Sequence, residues 1–299
     1  MKVLAVDIGG TFIKYAVMDE DSRMYDKGKV PTPSAGREEL VETIGALFDR
    51  FNSEEKFEGI AISMPGIIDS ENGYVAMGGA LAYNTGFYFR AALQARCPAV
   101  RITIDNDAKC AAQAEASTGA LKDVRDGIVL IFGTMIGGGI VLDHRVRQGV
   151  HFAAGEVSYI ISDRDARPAY DTVWGNRCGT PYLCRLFAEK KGIDPSKVDG
   201  IRVFEAVKAA DEDGLAALSE YTKNIAVQIF NLQTVIDPER FAIGGGISAQ
   251  PIFIEYIKRH LEQMYASSPY FVPRAEVVGC KYGNDANLVG ALQCYSYSG

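Results

Sequence analysis

Apolar runs that end in glycine-rich turns are the first pattern along the chain. The segment "KVLAVDIGGTFIKYAVMDEDSRMY" has an apolar run, the sequence Asp-Ile-Gly-Gly-Thr, a second apolar run and an acidic turn. The segment "GIVLIFGTMIGGGIVLDHRVRQG" repeats this order, and its turn begins at Gly133-Thr134. Two apolar runs joined by glycines are typical of a β-hairpin. Because the pattern occurs twice, it predicts an internally duplicated protein.

The rest of the chain predicts an alternation of short strands and helices. Between the hairpins, the strands "GIAISM" and "RITID" flank the loop "NGYVAMGGALAYNTGFYF", and helices are expected over 37–51 and in the Ala-rich stretch that follows "RITID". Later segments with helical periodicity are "PYLCRLFAEKKG", "IRVFEAVKAAD" and "LAALSEYTKNIAVQIFNLQTVI". The strand "RFAIGGGIS", a helix over 251–265 and a helix in "NDANLVGALQCY" come last. We predict two α/β domains, 1–117 and 118–284, with a helix over about 285–299 packing on the first.

Composition and charge narrow the class of partner. The 299 residues carry a net charge of -7, and no Lys/Arg run is present. This balance argues against a nucleic-acid partner, because phosphate backbones attract basic surfaces. No apolar stretch approaches the roughly 20 residues of a membrane span. The six cysteines form no CxxC pair, and the early charges "MKVLAVD" do not suit a signal peptide, so we expect a cytoplasmic protein with a small-molecule substrate.

Three glycine-rich turns follow apolar strands, and together they favour a nucleotide. A tight hairpin explains any one of them alone. Three of them, two with a threonine hydroxyl, indicate turns whose N–H groups hold phosphate oxygens. Neither a Walker motif nor GxGxxG occurs, so the remaining design is a pair of hairpins that face each other across a cleft. The candidate nucleotide-binding residues are Asp7, Gly9, Gly10, Thr11, Lys14, Gly133, Thr134, Gly137, Gly138, Gly244, Gly245 and Gly246.

Asp7 stands at the end of the first predicted strand, close to the expected phosphates. A carboxylate there is reasonable if Mg²⁺ neutralises it. We therefore predict ATP with Mg²⁺, and Asp7 as the candidate metal ligand. Lys14 would balance phosphate charge, with an exposed hairpin lysine as the alternative.

The stretch "RITIDNDAKCAAQAEA" places Asp105, Asn106 and Asp107 between a strand and a helix. Asp107 as a plain helix N-cap is one interpretation. The junction, however, lies at the strand ends where ligands gather in α/β folds. A hydroxyl that attacks a γ-phosphate needs a carboxylate within hydrogen-bond reach. We therefore assign Asp107 as the catalytic base and Asn106 as a substrate ligand, while Asp105 orients or solvates the turn.

Seven segments together carry a family resemblance, and they cover nearly the whole chain. They are "VDIGGTFIKYAV", "SMPGIID", "DNDAKCA", "GTMIGGGIV", "GEVSYI", "FAIGGGIS" and "GNDANLVGAL". In this order they resemble the motifs of the ROK family of sugar kinases. The resemblance implies an actin-like, ribonuclease H-like fold of two domains with a cleft between them. It also implies transfer of phosphate from ATP to a hexose hydroxyl, with Asp107 as base and with Gly66 and Glu156 against the sugar. A solvated turn residue is the alternative for Glu156.

The sequence departs from the family pattern at two places. Many members hold a structural zinc with a His three residues after this Glu and with three nearby cysteines. Here the His position is Tyr159, and "WGNRCGTPYLCRL" offers only Cys178 and Cys184, so we predict no zinc. Tyr159 either reaches the substrate through its hydroxyl or is a packed tyrosine. Met135 stands where the family usually has a glycine, and a side chain beside the phosphates would lower nucleotide affinity or close the site.

The segments "NGYVAMGGAL" and "AGEVSYIISDR", with the zinc motif lost, resemble the β-glucoside kinase branch. This implies phosphorylation of the 6-hydroxyl of a β-linked disaccharide, with the aromatics of 82–89 either under a second sugar ring or in the core. Glucokinase, fructokinase and N-acetylmannosamine kinase specificity remain alternatives, as does a catalytically idle sugar-binding regulator. Transcriptional repression would need an N-terminal helix-turn-helix, whereas this chain starts at the hairpin. Relatives are often homodimers, and the sequence leaves the oligomeric state open.

Overall fold

The computed structural model describes residues 2–53, 56–161, 167, 169 and 171–297. The last three residues of "AGEVSYIISDR" therefore lie outside the described residues. The strands are β1 (Lys2–Ile8), β2 (Phe12–Asp19), β3 (Met24–Pro31), β4 (Gly59–Met64), β5 (Ile67–Asp69), β6 (Tyr74–Met77), β7 (Arg101–Asn106), β8 (Gly127–Phe132), β9 (Ile136–Leu142), β10 (Arg145–Val146), β11 (Arg240–Gly244) and β12 (Glu276–Gly279). The α-helices are α1 (Arg37–Asn52), α2 (Phe89–Arg96), α3 (Asp107–Thr118), α4 (Trp174–Cys178), α5 (Thr180–Lys191), α6 (Gly200–Lys208), α7 (Glu212–Ile236), α8 (Pro251–Ser267) and α9 (Ala286–Tyr297).

The chain divides into two units. Unit 1 consists of Met1–Gly119, Arg145–Ala154 and Asp285–Gly299, and unit 2 of Ala120–His144 and Gly155–Asn284. The predicted boundaries of 1–117, 118–284 and 285–299 differ mainly at 145–154, which they leave in the second domain. In the structure these residues go with unit 1, because side chains at the start of α3 hold them.

Unit 1 is built on a sheet with the strand order β3-β2-β1-β4-β7. β1 and β2 form the predicted antiparallel hairpin, while β4 and β7 continue the sheet in parallel with β1. β1 and β4 are buried along almost their whole length, as expected for strands covered on both faces. α1 buries Leu40, Ile44 and Phe48, whose spacing of about four residues forms one apolar stripe against this sheet's core.

Unit 2 repeats this arrangement. Within the unit the strand order is β9-β8-β11-β12. β8 and β9 form the second antiparallel hairpin, and β11 and β12 run parallel to β8. Its core contains Trp174, Tyr221 and Phe253 from three different helices. The duplication predicted from the two hairpins is thus present in the two sheets.

Helices α3 and α9 of unit 1 approach very closely at Gly290. A Cβ atom on Gly290 would lie 1.7 Å from the backbone oxygen of Cys110, so no larger residue fits. The contact sets the start of α9 beside the strand ends of the sheet. Within the described residues, no helix is both long and apolar enough to cross a membrane.

Candidate active site

The first glycine turn joins β1 to β2, and its glycines serve different purposes. The N–H of Gly9 donates to the carbonyl of Phe12 at 3.0 Å, and a Cβ on Gly9 would meet that same oxygen at 3.0 Å. Gly10 and Thr11 are exposed. The nearest atom to a Cβ on Gly10 is 3.7 Å away, on Ala80. The turn itself therefore requires Gly9, whereas Gly10 leaves space that the protein does not fill.

Asp7 is a buried carboxylate with a defined set of partners. Ser63 Oγ and Asn287 Nδ2 donate to its Oδ1 at 3.1 and 3.0 Å. Lys14 Nζ lies 3.4 Å from Oδ2, because Lys14 pairs with Asp7 across the hairpin. The Lys14 side chain is 42% exposed, so it is a partly exposed hairpin lysine that also contacts Asp7. Sequence reasoning missed Ser63 and Asn287; the strand register between β1 and β4 is what brings Ser63 to Asp7.

The donor chemistry at Asp7 fits a divalent cation carried by a nucleotide. Mg²⁺ binds through one or two carboxylate oxygens, phosphate oxygens and water. Asp7 supplies one such carboxylate next to an exposed turn. Across the described part of the chain, no group of three or more His, Cys, Asp or Glu side chains is arranged to hold a metal ion. The remaining ligands would come from the phosphates and from water.

The junction of β7 and α3 is organised by Asn106. Its Oδ1 accepts the N–H of Lys109 at 3.0 Å, which makes it the N-cap of α3, and its Nδ2 donates to the Gly66 carbonyl at 2.8 Å. The interpretation of Asp107 as the N-cap is therefore wrong. Asp107 is the first residue of α3, half-buried, and its Oδ1 accepts the N–H of Ala108 at 2.8 Å. The positive end of the helix dipole favours a negative charge there.

Gly66 is held against this junction. Its φ is +113°, and a Cβ atom would lie 2.0 Å from the Met77 carbonyl oxygen. A side chain is therefore excluded by both conformation and space. The bond from Asn106 then fixes the Gly66 loop beside Asp107.

Asp105 is a structural carboxylate in this arrangement. It is 5% exposed, and its oxygens accept the Asn106 N–H at 2.7 Å and Gln148 Nε2 at 2.9 Å. Burial raises the pKa of Asp105, against the opposing effects of the Asn106 N–H and the Lys109 charge. The sequence interpretation that Asp105 orients the turn agrees with these contacts.

The second glycine turn, in unit 2, joins β8 to β9. The N–H of Gly133 donates to the Met135 carbonyl at 2.9 Å, and the Gly133 carbonyl accepts the N–H of Thr180 at 2.7 Å. Thr134 is exposed between them. Met135 directs its methyl group to α4, since a Cβ on Gly175 would lie 2.7 Å from Met135 Cε. Its side chain is thus packed within unit 2, and the expectation that it stands beside the phosphates has no support from this contact.

The third turn follows β11, and its three glycines differ sharply. A Cβ on Gly244 would lie 2.4 Å from Ile131 Cδ1. Gly245 has a φ of +93°, and its Cβ would lie 2.1 Å from the Phe132 carbonyl oxygen. Gly246 is exposed, with no atom within 4 Å of its Cβ position. The first two glycines serve the packing of β11 on β8, whereas Gly246 leaves open space.

Glu156 is half-buried at the start of a 3-10 helix, Val157–Tyr159. This short helix is fixed to β9 by Ser158, whose Oγ accepts the Ile136 N–H at 3.0 Å and donates to the Ile136 carbonyl at 2.6 Å. Tyr159 is 52% exposed, so it is not a packed core tyrosine. Partial burial and the charge of Glu156 raise the pKa of Tyr159. Sequence reasoning did not identify Ser158.

Unit 2 also contains a cavity of about 400 Å³ that begins at the second glycine turn. Its lining residues come from that turn and from the starts of α5 and α6, and they are Thr134, Thr180, Pro181, Cys184, Arg185, Pro195, Val198, Asp199 and Gly200. Gly200 also lies near Ile247, the residue after Gly246, because its Cβ would be 3.8 Å from Ile247 Cγ2. Sequence reasoning identified Thr134 alone among these residues.

A model of the ROK family matches residues 3–296. The chain belongs to the ROK family. The resemblance drawn from the seven motifs is therefore confirmed.

The second hairpin of this ROK chain contains three of the predicted nucleotide-binding glycines, Gly133, Gly137 and Gly138. Gly137 is half-buried in β9. Gly138 packs against Gly155, since a Cβ on Gly138 would lie 2.3 Å from the Gly155 carbonyl oxygen.

Two curated relatives of this ROK chain have named activities. It is 30% identical to a beta-glucoside kinase of Klebsiella pneumoniae, over 98% of this chain and 95% of that protein. It is 32% identical to a beta-glucoside kinase of Listeria monocytogenes, over 98% and 96%. A ROK family protein of Streptococcus pneumoniae, solved in complex with sucrose, is 29% identical and superposes with a TM-score of 0.88, over 100% of this chain and 99% of that one. The chain is an ATP-dependent sugar kinase with the actin-like fold.

The four aromatic residues of 82–89 differ in their environments in this ROK chain, and Phe89 is fully buried. Tyr83 is partly buried, and its hydroxyl donates to the Pro33 carbonyl at 3.1 Å. Phe87 packs on the core of unit 1. Tyr88 is 60% exposed and contacts the ring of Tyr74, with 4.7 Å between centroids. The core interpretation therefore suits Tyr83 and Phe87, and Tyr88 alone presents an open ring face.

Proposed function

We propose that this kinase phosphorylates the 6-hydroxyl of a β-linked glucoside, such as a β-linked disaccharide. The observation that carries the proposal is the similarity, over at least 95% of both chains, to two proteins named beta-glucoside kinase. The related pneumococcal protein was solved with sucrose, which is also a disaccharide. Phosphorylation of a single hexose, as by a glucokinase, fructokinase or N-acetylmannosamine kinase, is the alternative outcome of the experiment below.

In the proposed reaction, Asp107 accepts the proton of the attacking sugar hydroxyl. A carboxylate within hydrogen-bond reach of the attacking hydroxyl can act as a base, and a helix N-terminus favours its negative charge. Asn106 has one amide N–H and one oxygen lone pair beyond its bonds to Gly66 and Lys109, and these would bind sugar hydroxyls. Glu156 and Tyr159 would bind further hydroxyls, and Gly66 would let the sugar approach the backbone.

ATP would be held by the glycine turns. Gly10 and Thr11 in unit 1, and Gly133 and Thr134 in unit 2, are the proposed phosphate-binding residues, since exposed N–H and hydroxyl groups there have room for oxygens. The adenosine would occupy the 400 Å³ cavity next to Gly246, a volume suited to a small-molecule ligand. Gly9, Gly138, Gly244 and Gly245 would act indirectly, by shaping these turns.

Mg²⁺ would bind at Asp7 together with the ATP phosphates. When bound, it supplies positive charge that stabilises the negative charge developing on the transferred phosphoryl group. Ser63 and Asn287 hold the Asp7 carboxylate in a single orientation for that role. Lys14 adds a second positive charge at the same carboxylate.

The proposal is tested by coupled ATP-to-ADP turnover against cellobiose, gentiobiose, glucose, fructose, mannose, N-acetylglucosamine and N-acetylmannosamine. We expect the highest kcat/KM with a β-disaccharide. Highest turnover with one monosaccharide would refute the β-glucoside assignment. No ATP turnover with any of these sugars would favour a catalytically idle sugar-binding regulator.

The Asp107→Asn variant tests the base on the best substrate of that panel. Because it removes the proton acceptor and keeps the shape, we expect kcat to fall about a hundredfold or more while sugar affinity, from calorimetry, is nearly unchanged. Loss of sugar binding with unchanged kcat at saturation would contradict the role of Asp107.

A further inference from the structure

Lys109 is a buried lysine for which the proposed reaction has no direct use. It lies two residues after Asp107 on α3, and it is 1% exposed. Removing an ammonium group from water costs several kcal/mol unless hydrogen bonds and an opposite charge compensate. The surroundings of Lys109 supply both.

The ammonium is held by one segment of unit 1, residues 145–154, here called the strap. Lys109 Nζ donates to the Phe152 carbonyl and, at 3.4 Å, to the Gln148 carbonyl. The strap folds back on itself to bring these oxygens together. Phe152 has a φ of +55°, and the Ala154 N–H donates to the Gln148 carbonyl at 3.1 Å. A positive φ is uncommon for a residue other than glycine, so this shape of the strap costs conformational energy.

A second hydrogen bond links the strap to the junction of β7 and α3. Gln148 Nε2, on the strap, donates to Asp105 Oδ2 at 2.9 Å. Asp105 accepts the Asn106 N–H, and Asn106 caps the N–H of Lys109. Lys109 and Asp105 are therefore buried together, and the strap is hydrogen-bonded to both side chains.

The strap leads directly to Glu156. Ala154 is its last residue, and Gly155 then packs on Gly138 with a Cβ position 2.7 Å from the Gly138 carbonyl oxygen. A single glycine thus separates the strap from the proposed sugar ligand.

We infer that Lys109 is a positioning residue for sugar binding: it clamps the strap to α3 and thereby, through Gln148 and Asp105, sets the place of Asn106. The inference rests on the proposed function, in which Asn106 binds the sugar. Asp107 keeps its place without the clamp, since it is fixed by the start of α3. The expected effect is therefore on the KM for sugar more than on the KM for ATP.

The test compares Lys109→Met with a matched control, Lys122→Met, in which the replaced lysine is exposed. With the best sugar of the panel, Lys109→Met should raise the sugar KM about tenfold or more, since small displacements of binding groups have large effects, and leave the ATP KM within about twofold. The control should match the wild type. A sugar KM for Lys109→Met equal to that of the wild type would overturn the inference.

The double variant Lys109→Met/Asp105→Asn separates positioning from charge balance. It removes both buried charges, so the thermal stability lost in Lys109→Met should return. The raised sugar KM should remain, because the strap is still unclamped. Recovery of both the stability and the sugar KM would show a merely structural ion pair. If Lys109→Met fails to fold, the sugar KM of the double variant alone decides.

Amide hydrogen exchange over residues 145–154 gives a readout that needs no turnover. Exchange in the strap should be about tenfold faster in the double variant than in the wild type, since an unclamped strap more often opens the bonds from Phe152 N–H to Gly149 and from Ala154 N–H to Gln148. Unchanged exchange would overturn the inference whether or not the protein phosphorylates sugars. A wild type that is inactive on every sugar, yet has a strap that depends on Lys109, would refute the proposed function alone.

Discussion

Gly245 and Gly246 are adjacent, yet Gly245 is needed for packing, whereas Gly246 borders open space. Alanine at each position tests these two roles separately. For Gly245→Ala, the backbone has a φ of +93° and the new Cβ would stand 2.1 Å from the Phe132 carbonyl oxygen. Gly245 has a ψ of 169°, and this region of positive φ, nearly confined to glycine, costs about 1–3 kcal/mol for a residue with a Cβ, while overpacking costs about 1–3 kcal/mol. The sum is about 2–6 kcal/mol, which lowers Tm by roughly 4–24 °C.

Gly246→Ala meets no atom within 4 Å, so its stability should stay within about 0.5 kcal/mol of the wild type. If adenosine occupies the adjoining cavity, the added methyl should raise the KM for ATP about tenfold, with the sugar KM unchanged. Thermal unfolding of both variants and initial rates at varied ATP measure these effects. A stable Gly245→Ala would refute the steric reasoning. A wild-type ATP KM for Gly246→Ala would refute the placement of the nucleotide beside this turn.

Two further predictions concern the metal and the cavity. Asp7→Asn keeps one oxygen for the bonds from Ser63 and Asn287 but removes the negative charge and the oxygen that accepts from Lys14. We therefore expect kcat to fall about a hundredfold and the Mg²⁺ concentration for half-maximal rate to rise. An unchanged Mg²⁺ titration would argue against a metal at Asp7. Cys184 lines the cavity, and burial raises the pKa of its thiol, so maleimide should label it slowly at neutral pH, and ATP should slow the labelling further. Labelling at Cys184 is measured by peptide mass spectrometry. Equal labelling with and without ATP would show that the nucleotide binds elsewhere.

Local patterns predicted the parts of the fold that depend on local chemistry. The two hairpins were predictable because apolar runs and glycines adjoin in the sequence. β3, with the sequence "MYDKGKVP", was not predicted, because this edge strand is largely exposed and carries no run of apolar residues. β12 was missed as well, since four residues give too short a pattern.

The candidate site shows the same limit. Asn106 and Asp107 are both good N-cap residues, and the sequence alone cannot choose between neighbours, because the path of the chain decides which one precedes the helix. Ser63 and Asn287 reach Asp7 only through strand register and helix packing. The lining of the cavity comes from separate segments of unit 2, so no short motif marks it. In the sequence, Lys109 resembles an ordinary surface lysine of an Ala-rich helix. Only the structure shows that the strap covers it.

The hydrogen bond between Asn287 and Asp7 has a consequence for the order of folding. It joins residues 280 positions apart, and α9 packs tightly on α3 through Gly290. Unit 1 therefore cannot be completed from its first 119 residues alone. During synthesis, residues 120–284 emerge and can fold before the segment that closes the earlier sheet is available, and contacts of such long separation form slowly. A nascent chain should thus hold an unfinished first unit, with the Asp7 carboxylate not yet fixed, until α9 has left the ribosome.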